Sequence, residues 1–421
     1  MISAASVLPA FRALRHRNFQ LFWSGQGISV VGTWMQTTAQ GWLIYRLTHS
    51  PLMLGLLTVS RFGPSLVVAP LSGLVADRFP RRGAVLLTQS ASLVLATILA
   101  TLTLTGLVRV EHILVLAFLQ GSVDSMDMTV RQTFQMDLVG PDDLQSAVSL
   151  NAAAYNSARM VGPFLAGILI AKVGEGVCFA LNAVSFVAVL VMLVMIRVPP
   201  GGAGSGAGSG SGTGRPSMAG ALAAGMRYAW GTPATRRVML AVAMTSGVGL
   251  AVNTLTPALA RDVLHTGSQG YGRLLAGAGV GAILGALVAA GASTARFAFK
   301  VNALALGVMG ISLLGIGLSH SLLSATLCLT LLGSMSAMQL STSNTFLQTT
   351  APPELRGRVV SMYVWLFQGM MPLGGFAAGW AADHLGISRA ILISGVACAS
   401  AGLVLGATLP LAPGEGAGSG G

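Results

Sequence analysis

Apolar residues fall along this chain in blocks of 21 to 28 separated by short polar turns, and each block can cross a ~30 Å hydrocarbon layer at 1.5 Å per residue. The pattern predicts twelve transmembrane helices, at 19–45, 52–76, 83–107, 111–133, 145–172, 175–196, 236–260, 270–292, 297–317, 321–348, 356–381 and 387–409. Between the sixth and seventh blocks, residues 199–217 read PPGGAGSGAGSGSGTGRPS, a Gly/Ser run with too little apolar surface to fold. It is expected to be a flexible linker between a bundle at 1–198 and a second at 218–410, with 218–228 as an interfacial helix and 411–421 as a disordered tail.

The two parts repeat one another. Pro141-Asp-Asp-Leu-Gln-Ser-Ala-Val before the fifth block corresponds to Pro352-Pro-Glu-Leu-Arg-Gly-Arg-Val before the eleventh. Ser50-Pro-Leu-Met-Leu-Gly55-Leu-Leu likewise corresponds to Ser268-Gln-Gly-Tyr-Gly272-Arg-Leu-Leu. The expected fold is therefore an all-α polytopic membrane protein of two pseudo-symmetric six-helix bundles. Such a plan describes a rocking transporter with its site at the repeat interface near mid-membrane.

Composition narrows the class. With 53% hydrophobic residues, 9% charged and a mean hydropathy of +0.74, a chain of 421 residues could not cover a soluble core with a water-facing surface. The net charge of +12 does not point to nucleic acid, because the basic residues sit in small clusters at block ends with no interleaved aromatics. They report topology instead. With both termini inside, sixteen basic residues fall on cytoplasmic segments and six on outer ones, which fixes the orientation. The first block is too long for a signal peptide and lacks a small-residue cleavage site, so it is expected to stay. Cys178, Cys328 and Cys398 lie inside predicted spans with no ligand spacing and read as small buried apolar residues. No metal, cofactor or catalytic residue is expected.

The few charges inside the spans are the candidate chemistry, since an ionisable group in lipid must meet a partner or a cavity. Asp124 and Asp127 share a face of the fourth helix, with Arg131 one turn further on. Asp127 is placed to pair with Arg131 or to reach the turn at Asp77–Arg82. Asp124 is deeper, and reads either as a reversible proton carrier or as a static ion pair with Arg61 or Arg159. Arg159, in mid-span of the fifth helix with Asn156 a turn away, reads as the partner of Asp124 or of a substrate oxygen; the first pairing is preferred. Arg61 either snorkels or faces a cavity. Gln26, Gln36 and Gln40 lie on a polar stripe of the first helix, and with Arg61, Asn156, Asn344 and Gln368 they are candidate cavity residues; interhelical packing is the alternative for the stripe. Asp77, Arg78, Arg81 and Arg82 crowd four charges into a tight cytoplasmic turn.

Several strings resemble a known family. Gly73-Leu-Val-Ala-Asp77-Arg78-Phe-Pro-Arg81-Arg82 is similar to the loop signature of the major facilitator superfamily, with Val75 and Pro80 replacing a leucine and a glycine. The resemblance implies a cytoplasmic latch of Gly73, Asp77, Arg78, Arg81 and Arg82. Gly162-Pro163-Phe-Leu-Ala-Gly167 resembles the kink signature of antiporters in that superfamily, with Ala158 and Ala166 in place of two glycines. Asn18-Phe-Gln-Leu-Phe-Trp23-Ser-Gly25-Gln26 and Arg131-Gln-Thr-Phe-Gln-Met-Asp137 complete a likeness, over residues 10–410, to the exporter branch of enterobactin-type exporters, or transmembrane secretion effectors.

The resemblance implies proton-driven efflux of small amphipathic molecules across a bacterial inner membrane, by a monomer whose partners are substrate, protons and lipid. One departure matters: Ala117 stands before Gln120-Gly121 where many relatives carry the coupling arginine, so Arg159 or Arg131 would have to serve. An importer of the same fold remains open. A prenyltransferase-type enzyme using Asp124 and Asp127 on Mg²⁺-pyrophosphate lacks a second acidic cluster, and a membrane sensor lacks an output domain.

Overall fold

The computed structural model describes residues 9–76, 80–196, 226–290 and 295–407, with side chains described from residue 11 except at 69–76, 290 and 295–299. The expected linker, residues 218–225 of the interfacial helix and the tail lie outside the described residues, as do Asp77 and Arg78. A short turn of 3-10 helix, Pro9–Arg15, leads into α1 (Arg17–Thr48), α2 (Pro51–Ala76), α3 (Arg81–Leu104), α4 (Val110–Val173) and α5 (Glu175–Met195). From 226 the chain is helical again, and it continues through α6 (Pro233–Met244), α7 (Val252–Ala258), α8 (Gly267–Ala290), α9 (Ala295–Gly317), α10 (Leu322–Thr350), α11 (Arg356–Leu385) and α12 (Ile387–Ala407).

Ten helical stretches among the described residues are long and apolar enough to cross a membrane. One of them, α4, has 64 residues and would measure about 96 Å if straight, so it is two crossings. It breaks at Gly140, whose φ of 72° and ψ of 176° lie outside the helical region and are open to glycine. A loop expected at 134–144 is instead helix up to residue 139 and again from Pro141, because Asp137 is held by Arg81 at 2.6 Å and needs no water. The other addition is α1, whose 32 residues are too polar for a hydropathy criterion yet bury Gln26, Ser29, Gln36, Thr38 and Gln40 against neighbouring helices. Twelve crossings result, as the pattern predicted.

The seventh crossing is irregular. Pi-helical turns at Thr245–Gly249 and Leu259–Val263 flank α7, which contains Pro257. Pi turns free backbone groups and concentrate at functional sites. Here Thr245 Oγ1 donates to Gln339 Oε1 at 2.6 Å, and Ser246 donates to the Phe367 carbonyl, so the first of these turns is tied to α10 and α11.

Helices α1 to α5 form one bundle and α6 to α12 the other. They meet along two seams, α2 against α11 and the 141–173 limb of α4 against α8. The seams repeat each other atom for atom. A Cβ on Gly167 would sit 2.8 Å from the Ser268 carbonyl oxygen and 3.0 Å from Gly272 Cα, and one on Gly379 would sit 2.6 Å from the Pro51 oxygen and 3.1 Å from Gly55 Cα. Pro51 and Gly55 on one seam and Ser268 and Gly272 on the other fall within the two strings that the sequence repeat sets side by side, with the structure shifting their register by one residue. Each seam thus relies on backbones approaching where no side chain intervenes.

Both glycine seams lie toward one end of the bundle, together with the α1–α2 and α7–α8 turns. The largest apolar core gathers there and draws on both bundles, from Trp42, Tyr45 and Leu54 to Leu255, Tyr271 and Leu329. At the other end, which carries Arg15, Arg81, Arg236 and Arg356 and is called the basic end below, the core divides. Phe19, Phe134 and Leu193 pack within the first bundle, whereas Met239, Phe346 and Tyr363 pack within the second. The bundles are therefore closed at one end and apart at the other.

Candidate functional site

Between the bundles lies a cavity of about 180 Å³ walled by α1, α2, the second limb of α4, α7, α8 and α11. Leu54, Leu57, Phe62, Leu250 and Leu275 supply apolar wall, and Trp34 and Tyr271 the aromatic faces. Its charged lining residues are Arg61 and Arg159. Polar wall comes from Gln40, Asn253, Thr58 and Thr254, with the two threonine hydroxyls 3.2 Å apart across the bundles. Gln40 Nε2 and Asn253 Oδ1 are buried and unpartnered, so a donor and an acceptor stand ready on this wall.

Arg61 does not snorkel. It is 10% exposed and places Nη2 2.6 Å from Asp124 Oδ2, whereas Asp124 is 41% exposed. The other carboxylate oxygen of Asp124 accepts from Gln120 Nε2 at 2.8 Å, and the same amide nitrogen lies 2.9 Å from Ser92 Oγ. Ala117, the position of the missing arginine, is fully buried, and the cation facing Asp124 comes from α2 instead. This partner was named in the sequence only as an alternative, because nothing in the spacing of residues 61 and 124 says that their helices touch.

Asp127 and Asp124 serve different neighbours. Asp127 is buried, ion-paired with Arg131 one turn on, and accepts from Thr88 Oγ1 at 2.6 Å and Gln89 Nε2 at 2.8 Å. A carboxylate so saturated on α3 and α4 stitches the first bundle together. The two acids thus answer to different partners, Arg61 and Gln120 for Asp124 and Arg131, Thr88 and Gln89 for Asp127.

Arg159 corrects the preferred pairing with Asp124. No carboxylate among the described residues forms an ion pair with it; its guanidinium lies over the Trp34 ring at 5.7 Å from the centroid, and Tyr155 meets the same ring edge-on at 5.7 Å. Gly162, one turn beyond Arg159, makes this possible. A Cβ there would come within 2.6 Å of Trp34 Cβ, so the antiporter-like kink seats α1 against the limb that carries Arg159. Pro163 lines the cavity and Gly167 forms the seam with Gly272.

The remaining expected cavity residues divide. Gln40 lines it; Gln36 is buried against α5 and accepts from Asn182 Nδ2 at 2.7 Å, which makes it packing polarity. Gln26 is buried outside the cavity wall, Asn156 donates to its own helix at Ala152, Asn344 accepts from Gln348, and Gln368 is half-buried away from the wall. Of the latch residues, Gly73 lies in α2, Arg81 pairs with Asp137, and Arg82 donates to the carbonyls of Leu193 and Val194. These contacts stay within the first bundle, as the separation at the basic end requires.

At the closed end, several polar contacts cross between bundles, beside the Arg46–Glu175 ion pair at 2.8 Å within the first. Tyr45 donates to Asp262, Ser50 Oγ donates to Asp383 at 2.8 Å, and Trp42 stacks on Tyr271 with centroids 5.9 Å apart. Neither Tyr45 nor Asp262 stood out in the sequence, since an acid at a predicted helix end is ordinary surface until its partner is seen.

Comparison with known proteins agrees with this architecture. The chain is 25% identical to the staphyloferrin A transporter of Staphylococcus aureus, over 89% of this chain and 92% of that one. It is 27% identical to the enterobactin exporter EntS of Escherichia coli, over 86% and 82%. The fold superposes on a bacterial homologue of the lysosomal transporter Spinster, in an inward-facing and occupied conformation, with a TM-score of 0.72 at 12% identity, covering 93% of this chain and 96% of that one. The transmembrane secretion effector family matches residues 8–418, and the chain belongs to that family, within the major facilitator superfamily of membrane transporters.

Proposed function

We propose that this protein exports small amphipathic organic compounds, drug-like or siderophore-like, across the bacterial inner membrane by alternating access coupled to inward proton flow. Both termini are cytoplasmic in this reading, as the excess of basic residues at one end favours, and residues 199–217 link the bundles on that side. The basic end is then the inside. The conformation is one that takes substrate from the cytoplasm, with the outer end shut by Tyr45–Asp262, Ser50–Asp383 and the glycine seams.

The observation that carries coupling is the Arg61–Asp124 pair, whose acid is the more exposed partner and whose arginine is set on the helix that packs against the other bundle. A proton on Asp124 cancels its attraction for Arg61 and loosens α2 from α4, and α2 forms the seam with α11. Asp127 and Arg131 hold the frame against which this happens, and Arg159 contributes from the cavity wall. Export, the direction suggested by the siderophore exporter among the relatives, is tested with inverted vesicles and an imposed pH gradient. Accumulation of a compound from a panel of amphipathic drugs and siderophores is expected when the lumen is acidic, together with alkalinisation of the lumen. Accumulation that ignores the gradient overturns the coupling, and accumulation only with the opposite gradient overturns the direction.

A further inference from the structure

Charge in the cavity is unbalanced. Of its two lining cations, Arg61 is neutralised by Asp124, and Arg159 faces the cavity with no acid. Arg159 is 14 residues from the end of its helix at Val173, on the order of 20 Å into the bundle, where an unpaired guanidinium is costly. Contact with one face of Trp34 offsets only part of that cost, because a cation–π contact replaces few of the hydrogen bonds that five N–H donors demand. Arg159 also makes no hydrogen bond to a described residue, and on the same wall Gln40 Nε2 and Arg61 Nη1 are unused donors against one unused acceptor, Asn253 Oδ1. Donors and positive charge are therefore in excess, beside a wall of Trp34, Phe62 and Tyr271.

We infer that the transported compound carries an acidic oxygen group, a carboxylate or an ionised phenol, which Arg159 binds while an apolar or aromatic body lies along the Trp34 wall. A planar guanidinium suits such a group, since it offers two parallel N–H donors to a pair of oxygens. Asp124 keeps its own cation, so proton and substrate occupy different charges. An anion leaving the cell moves down an inside-negative potential, which agrees with export.

This inference rests on the cavity being the transport site, and it is tested at equilibrium without a membrane or a gradient. The full-length protein in detergent is titrated with 1-naphthoate, with uncharged 1-naphthamide and with 1-naphthylmethylammonium, by calorimetry at neutral pH. Naphthoate is expected to bind about tenfold or more tighter than the amide, the ratio for hydrogen bonds to a charged group. Arg159→Gln is expected to erase that preference by weakening naphthoate far more than naphthamide, and Arg159→Lys to restore part of it. Equal binding of acid and amide in the unsubstituted protein, failure of naphthoate to bind, tighter binding of the ammonium, or a preference that survives Arg159→Gln each overturns the inference. Because binding is read apart from transport, export without an acid preference sinks this inference alone. An acid preference without gradient-driven export sinks the proposed coupling alone.

Discussion

Tyr45 on α1 donates its hydroxyl to the carboxylate of Asp262 at the end of the seventh crossing, a hydrogen bond that joins the two bundles at the closed end. A bond to a charged acceptor contributes roughly 1.5–3 kcal/mol, enough to shift a two-state balance by about tenfold or more. Tyr45→Phe and Asp262→Asn are each expected to raise the population open at this end, and the double variant to add little more. Labelling of a cysteine placed at Thr37 on the cavity wall by a membrane-impermeant reagent from outside reads the shift. Unchanged labelling in both variants removes this bond from the gate.

The paired glycine seams make a sterically sharper test. At Gly167 and at Gly379 an added Cβ meets backbone atoms, which cannot rotate away. Gly167→Val and Gly379→Val are expected to hold the closed end apart and to lower stability by about 1–3 kcal/mol, the range for overpacking. Each is expected to stop transport. The two should behave alike, because the seams repeat; a Tm loss in detergent at one site with none at the other breaks that equivalence.

Arg61 and Asp124 are expected to be energetically coupled, and Arg159 and Asp124 not. Removing Asp124 leaves a buried cation, at a cost of about 1–3 kcal/mol once the exposure of Asp124 is allowed for. Asp124→Asn is expected to lose gradient-driven transport and keep ligand binding. The double variant Arg61→Gln/Asp124→Asn is expected to be more stable than Asp124→Asn alone. Thermal unfolding of the two cycles in detergent measures this, and a coupling energy found for Arg159 with Asp124 and absent for Arg61 would falsify the pairing.

Gly162 governs the aromatic floor beneath Arg159. Gly162→Ala places a methyl within 2.6 Å of Trp34 Cβ, so α1 must shift away from the limb of α4. Substrate affinity is expected to fall several-fold with the first bundle still folded, a loss that quenching of Trp34 fluorescence in a variant lacking the other five tryptophans would register. Full affinity in Gly162→Ala would mean that the Trp34–Arg159 contact plays no part in binding.

What the sequence by itself determined follows from local rules. Twelve crossings were legible because each must shed water along its length, and the repeat of the strings at 50–57 and 268–275 was visible as residues. Asp124, Arg61 and Arg159 drew notice for a reason that needs no coordinates: charge in lipid requires a partner. Tertiary structure alone decided which partner each has. Helix order along the chain does not give helix adjacency, so the same sequence permitted Arg159 or Arg61 beside Asp124, and the approach of α2 to α4 selected Arg61. The gate pair Tyr45 and Asp262, 217 residues apart, exists only because the two bundles close on each other at that end. The polar stripe of α1 was a single pattern that packing divided, Gln36 to a hydrogen bond with α5 and Gln40 to the cavity, because residues one helical turn apart meet different neighbours when a helix crosses several others.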